Sequence, residues 1–221
     1  MPQTDSGIAA VMLAAGGGSR LGGGKLLLPW RGQPLFAHVL RTVAQAHGLL
    51  SLTVVLGHDA EAVRRAVADA VPDFAVPVHV TVNRDWREGQ SASLRCGLAH
   101  ARSAPGGDAV RGVLFLLGDQ PLVTTGTLDA LIRAHGAACA KNPAHPATVP
   151  VYQGTRGNPV ILSHRLFPDL MALRGDTGAR HILRELDAEI LRVPVDDPGI
   201  LHDVDTPEAY AALCAPRGDL L

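Results

Sequence analysis

The chemistry of this chain is concentrated in a glycine-rich stretch near its start. Leu13-Ala-Ala-Gly-Gly-Gly-Ser-Arg20-Leu-Gly-Gly-Gly-Lys25 follows a short apolar run, Ile8 to Leu13, that reads as a buried strand. Glycines directly after a strand leave backbone N–H groups bare enough to approach phosphate oxygens. Arg20 and Lys25 supply the positive charge that a bound polyphosphate needs, whereas a turn serving geometry alone has less use for two cations. The backbone at Leu13, Ala14, Ala15, Gly16, Gly17 and Gly22, with the Arg20 and Lys25 side chains, is therefore the expected phosphate site. Two common phosphate motifs fail here. A P-loop would place Gly at Ser19 and a hydroxyl at Leu26, and the dinucleotide fingerprint opened by Gly16 and Gly18 would place its third Gly at Leu21.

Acids are the second ingredient. Asp119, with Gly118 before it and Gln120-Pro121 after it, ends a wholly apolar run, Val113 to Leu117. Such a group can be a plain turn. A carboxylate beside a phosphate loop makes electrostatic sense when a cation lies between them, so Asp119 is the expected Mg²⁺ ligand. Asp203 and Asp205 lie in His202-Asp-Val-Asp-Thr-Pro207. In a strand their spacing puts both carboxylates on one face. The alternative makes them acids near the N-terminus of a final helix.

Two further groupings are rich in amides, hydroxyls and glycines. Asn83, Trp86 and Gly89-Gln90-Ser91-Ala-Ser93-Leu94 offer donors and acceptors at a helix entrance, suited to a base edge, a ribose or an anion. Capping by Ser91 would explain one serine but not Asn83 and Gln90. Arg156-Gly157-Asn158-Pro159 and Gly175-Asp176-Thr-Gly178-Ala-Arg180 form the other. Arg180 could pair with phosphate, while Asp176 could simply cap a helix.

The loop pattern Leu-Ala-Ala-Gly…Arg-x-Gly-x-x-Lys resembles the signature of the MobA-like nucleotidyltransferases, and within them the molybdenum cofactor cytidylyltransferases. Gly16, Arg20, Gly22 and Lys25 match, while Gly18 stands for the usual Ser and Leu21 for the usual Met. The 83–94 run matches the cytidylyltransferase pattern except at Arg84, where Pro is usual, and is the main reason to prefer CTP over GTP. The resemblance extends from the first strand to the last helix. It implies a nucleotide-diphospho-sugar-transferase-like fold and Asp119 and Asp205 as the metal pair. It implies nucleotide contacts along the loop and from Gly118, Asn83, Gln90, Ser91 and Ser93. It also implies a pterin-facing side that takes in Gln120, Asn158, Asp176, Gly178 and Arg180. The implied reaction joins CMP from CTP to molybdenum–molybdopterin, with Lys25, Arg20 and Asp119 as the catalytic set, and the implied recipient is a molybdenum hydroxylase or its chaperone. Use of GTP, a different phosphorylated acceptor, and a non-catalytic cofactor carrier are the competing readings.

The elements needed to position these residues alternate. Strands are expected at 8–13, 52–56, 76–82 and 113–117, and helices at 34–46, 60–71 (with Asp59 as a possible cap), 91–102 and 128–140. This predicts an α/β fold, a three-layer α/β/α, Rossmann-like arrangement with a mostly parallel sheet and the ligand at the carboxyl ends of the strands. Beyond about residue 142, prolines cluster. Short strands are expected at 149–152, 159–162 and 189–193 and helices at 178–186 and from Pro207, capped by Thr206. One domain is expected, with a nucleotide-binding half over about 7–142 and an acceptor-binding half over about 143–214.

Composition narrows the class. At 221 residues and net charge −1, with 4% aromatic residues, the chain has neither the basic surface nor the stacking platforms of a nucleic-acid binder. Cys96, Cys139 and Cys214 fit no disulfide framework or zinc pattern and read as small buried apolar residues. The start lacks a basic n-region and its apolar run is short, so a cytoplasmic protein away from membranes is expected.

Overall fold

The computed structural model describes residues 7–18, 21, 23–70 and 74–215. Ile8–Ala14 forms β1, and its apolar residues divide by parity as a pleated strand requires. Ile8, Ala10, Met12 and Ala14 enter one core cluster, while Ala9 and Val11 enter another on the opposite face. Pro29–Trp30 (β2) and Gln33–Pro34 (β3) make a small hairpin, followed by helix α1 at Leu35–Ala44. The chain continues through β4 (Leu49–Leu56), α2 (Ala60–Ala70), β5 (Val78–Val82), α3 (Gln90–Ser103), β6 (Gly112–Leu117) and α4 (Thr125–Lys141). Then come β7 (Ala147–Tyr152), β8 (Thr155–Arg156), β9 (Val160–Ser163), α5 (Phe167–Ala172), α6 (Arg180–Glu185), β10 (Leu191–Pro194) and α7 (Pro207–Cys214).

The strands form one eight-stranded sheet in the order β10-β7-β9-β6-β1-β4-β5, with β8 added to β7. Strands β5, β4, β1, β6, β7 and β10 share one direction, and β8 and β9 oppose it. Residues of α1, α2 and α4 (Phe36, Leu40, Val63, Leu128) join the even face of β1. Those of α3, α5 and α6 (Leu94, Leu98, Leu170, Ile182) join the odd face, completing three layers. In register, Ala14 pairs with Leu56 and Leu13 with Leu117, so β1, β4 and β6 end together. The segments after them leave from one edge, as parallel crossovers dictate.

Several boundaries differ from the sequence reading. Helix α4 begins at Thr125, three residues before the apolar periodicity, because Thr124 Oγ1 accepts the Thr127 N–H and starts the helix early. Helix α5 was not anticipated: Pro168 at its start allows the short turn that buries Phe167 and Leu170. The expected end of α2 at Val71 lies outside the described residues. Residues 202–205 form no strand, although Val204 N–H donates to Asp119 O at 3.0 Å. At α7 the expectation holds, since Thr206 Oγ1 accepts Ala209 N–H and Pro207 opens the helix. Cys96 and Cys139 are half-buried, but Cys214 is exposed. Helix α7 turns Tyr210 and Leu213 toward Trp30 and Val204, which leaves Cys214 outside. His135 and His145 are core residues with a shared partner, their ring nitrogens lying 2.9 and 3.0 Å from Thr148 Oγ1. Burial, and then the neighbouring His145, lower the His135 pKa to about 4. No described helix is long and apolar enough to cross a membrane.

Candidate functional site

Lys25 is where the separate parts of the chain meet. It opens a short 3-10 turn, Lys25–Leu27, anchored by the buried Leu26. Its Nζ donates to Asp119 Oδ2 at 2.5 Å and to Asp205 Oδ1 at 2.6 Å. Asp119 is delivered by β6, and the Gly118 N–H donates to Leu13 O at 3.0 Å, fastening the strand exit to β1. Asp205 is delivered by the 202–205 segment, which the Val204 N–H bond holds to the Asp119 backbone. Val204 is buried with Trp30 and Leu35, whereas Asp203 and Asp205 on either side of it line the cleft. The alternation expected of a strand survives in this extended segment without a ladder.

The local charge is unbalanced. Asp119, Asp203 and Asp205 gather about Lys25, the one lysine among the described residues that line the cleft, with Arg87 and Arg180 also in its lining. Burial alone would lower the Lys25 pKa, but Asp119 and Asp205 outweigh it and hold the ammonium above its ordinary value. Burial and then the Asp119 charge raise the Asp203 pKa, offset in part by the hydrogen bond from Gln120. Asp119 Oδ1 is buried and has no hydrogen-bond partner among the described residues. An ionised oxygen in that condition is costly unless a cation meets it. Among the described residues no three His, Cys, Asp or Glu side chains converge as a complete cage. Two carboxylates, completed by phosphate oxygens and water, are nevertheless the set that Mg²⁺ uses at nucleotide sites. The donors present fit that ion.

These residues open onto a cleft of about 880 Å³. Leu13, Ala15, Gly16, Gly17 and Lys25 of the glycine-rich segment line it, together with Asp119 and Asp205 and with Gln90, Ser93, Asp176 and Arg180. Gly18 has φ +57, and a Cβ there would lie 2.9 Å from the Lys25 side chain, which accounts for glycine where the resembling family has serine. Gly89 has φ +103 and lies against the Asp176 backbone, where a Cβ would come within 2.8 Å. This contact lets Asp176 Oδ1 accept the Gln90 N–H at 2.9 Å, and the Ser91 N–H donates to Gly175 O at 3.2 Å. The 175–178 segment therefore covers the start of α3.

Other anticipated residues take supporting positions. Ala14 is buried behind the loop. Asn83 is buried, donating through Nδ2 to Ser93 Oγ at 3.0 Å and accepting the Asp85 N–H through Oδ1. Ser91 is fully buried and its Oγ has no partner among the described residues. Gln120 is 2% exposed, and its Nε2 donates to Asp203 Oδ1 at 2.5 Å and to Ile200 O at 3.4 Å. It steadies an acid instead of lining the cleft. Gly178 is buried against Gln90, and Asn158 donates its backbone N–H to Ile200 O, away from the cleft lining. Arg20 and Gly22 lie outside the described residues.

Sequence reasoning missed two contributors. Arg87 lines the cleft with its guanidinium 4.4 Å from the centre of the Trp86 ring, and Trp86 itself lies against Gly17. The adjacent Trp-Arg pair beside an amide-rich helix start was the available signal. Asp197 is buried and accepts from Thr124 N–H, Thr124 Oγ1, Thr127 Oγ1 and Gly199 N–H. It pins the segment leading to Asp203 and Asp205 onto α4, and nothing in its sequence neighbourhood announces this.

Comparison with known proteins supports the same conclusion. Residues 10–190 match the MobA-like NTP transferase domain. The chain is 31% identical to the nicotine blue oxidoreductase of Paenarthrobacter nicotinovorans over 91% of its length and 93% of that protein's. It is likewise 31% identical to the purine catabolism protein PucB of Bacillus subtilis, covering 92% of this chain and 94% of the relative. Among solved structures, Rv0371c of Mycobacterium tuberculosis superposes with a TM-score of 0.76 at 33% identity, covering 94% of this chain and 96% of that one. A manganese complex of Rv0371c superposes with a TM-score of 0.71 at 30% identity, covering 94% and 97%. A glycine-rich loop at the end of β1, two acids gathered beside its lysine and a match across most of the chain give one answer: the protein belongs to the MobA-like NTP transferase family.

Proposed function

We propose that this nucleotidyltransferase is a Mg²⁺-dependent cytidylyltransferase that joins CMP from CTP to molybdenum–molybdopterin, releasing pyrophosphate and giving molybdopterin cytosine dinucleotide. The observation that carries the nucleotidyl-transfer reading is the bridge from Lys25 Nζ to Asp119 and Asp205 at the mouth of the glycine-rich loop. The choice of CTP is supported by the run Asn83…Trp86…Gly89-Gln-Ser-Ala-Ser-Leu94. The choice of a divalent ion is supported by the orphaned Asp119 Oδ1 and by the relative described in complex with manganese.

In this reading the loop N–H groups, Lys25 and Arg20 bind the β- and γ-phosphates. Asp119 and Asp205 would hold Mg²⁺, which when bound offsets charge on the α-phosphate. Lys25 holds the same two carboxylates, so an ion bound there would free its ammonium for the triphosphate. A terminal phosphate oxygen of the acceptor attacks the α-phosphorus, and the bond from that phosphorus to the bridging oxygen of the β-phosphate breaks. Phosphate is already an anionic nucleophile, so the residues align and neutralise without a general base. In the same cleft, Gln90 and Ser93 face the cytidine, and the part lined by Asp176 and Arg180 receives the acceptor.

The test is pyrophosphate release from CTP, GTP, ATP and UTP, side by side, with the molybdopterin acceptor. Dominant turnover of CTP is expected. Dominant GTP turnover would defeat the base assignment, and tight cofactor binding with no pyrophosphate from any nucleotide would favour a carrier.

A further inference from the structure

We propose that His58 and Asp59 are positioning residues, a clasp at the exit of β4 that sets the neck of the glycine-rich loop and thereby the placement of Lys25. Asp59 stands immediately before α2, where an Asp ordinarily turns an oxygen onto the first free N–H groups of its own helix. Here both oxygens are engaged elsewhere. Oδ2 accepts the Gly24 N–H at 3.1 Å, and Oδ1 lies 2.9 Å from His58 Nδ1. Gly24 is the residue that introduces Lys25.

The imidazole completes the clasp. His58 N–H donates to Ala15 O at 3.3 Å, at the outgoing arm of the loop. A Cβ placed on Gly17 would lie 3.4 Å from the ring Cδ2, and one on Gly23 would lie 3.7 Å from Cε1 and 3.8 Å from Gly17 O. The ring therefore stands between the two arms where they converge. It also meets Trp86 edge-on, with centroids 5.1 Å apart and planes at 88°. One short turn after β4 thus touches the loop at residues 15, 17, 23 and 24 and reaches the Trp86 wall of the cleft.

A clasp of this kind differs from an ordinary surface pair. The side chains of His58 and Asp59 are 39% and 31% exposed, so their contact contributes little to folding. Its effect falls on the separation of the loop arms, and phosphate cradling is sensitive to displacements on the order of 1 Å.

This proposal rests on the nucleotide reading above, and the experiment separates the two. Calorimetric titration of CTP with MgCl₂ is carried out on the full-length protein, Asp59→Ala, Asp59→Asn and His58→Phe, beside thermal melts of each. The expected result is about tenfold weaker CTP binding in Asp59→Ala with little change in melting. Asp59→Asn, which keeps an acceptor for the Gly24 N–H, should recover most of the affinity. His58→Phe keeps a ring against Trp86 but loses the carboxylate link. It should show an intermediate loss, and it decides the matter if Asp59→Ala does not fold. Variants that bind CTP within twofold of the unmodified protein would overturn the clasp alone. An unmodified protein that binds neither CTP nor another nucleoside triphosphate would overturn the nucleotide reading, and the clasp with it.

Discussion

Replacing Lys25 with alanine should affect stability, ion binding and catalysis in different directions. The Lys25 and Asp119 side chains are 10% and 15% exposed, and Asp205 is 45% exposed. Breaking a fully buried ion pair from one side costs about 3–5 kcal/mol, but water reaches Asp205, so about 2 kcal/mol is the reasonable figure here. For a chain of this size that corresponds to a fall of about 4–8 °C in Tm. The same substitution leaves two carboxylates with no competing ammonium, so Mg²⁺ should bind more tightly than in the unmodified protein. At a hundredfold excess over its Kd the ion returns about 2.7 kcal/mol, enough to erase the loss. Catalysis should not recover, because the lost donor cannot be replaced at the triphosphate, and a loss of about 10²–10³-fold in turnover is expected.

The assay is a thermal melt of both proteins across a MgCl₂ titration, paired with pyrophosphate release. The expected pattern is a low-melting variant that gains more from Mg²⁺ than the parent yet stays nearly inactive. Equal Mg²⁺ responses would mean that the lysine and the ion do not share Asp119 and Asp205. A folded variant with turnover within a few-fold of the parent would remove Lys25 from the chemistry.

Asp119→Ala should abolish metal-dependent turnover and remove most of the Mg²⁺-induced rise in Tm, which the same titration reads. Gly18→Ala puts a side chain at φ +57 and 2.9 Å from the Lys25 stem. Strain of about 1–2 kcal/mol is expected, with weakened CTP binding measured by calorimetry. Stability should also fall in mild acid because of His135. Its folded pKa of about 4 lies below its ordinary value of 6.5. The unfolded chain therefore binds the proton first, and the contribution is intact above about pH 6.5 and lost progressively toward pH 4, by at most about 3 kcal/mol. Urea midpoints between pH 7 and pH 4.5 check this, and His135→Asn should flatten the slope.

The parts of the site nearest the sheet were legible in the sequence. The apolar run before Gly16, the acid at the end of Val113–Leu117 and the Thr206-Pro207 helix start each carry a local physical reason, and each holds in three dimensions. Where local chemistry allows two destinations, the sequence did not choose between them. Asp59 reads as a helix cap but turns to the glycine-rich loop. The family resemblance points Gln120 toward the acceptor, but it is buried on Asp203. Both choices are made by segments 35 and 83 residues away. Strand β9 was expected as an apolar run, but four buried residues carry no information about direction. Its antiparallel setting between β6 and β7 follows from the tertiary structure alone.

That setting has a consequence for how the molecule is made. Strand β7 does not lie beside β6; the space between them belongs to β9, which the ribosome produces later. Until residues 160–163 pair, the facing margins of β6 and β7 have no partner strand. The open margin of β6 is then a template for any passing β-segment, including one from a neighbouring polypeptide. Refolding yield should accordingly decline as protein concentration rises, and a peptide spanning 158–164 added in excess should intercept the vacancy before β9 closes it.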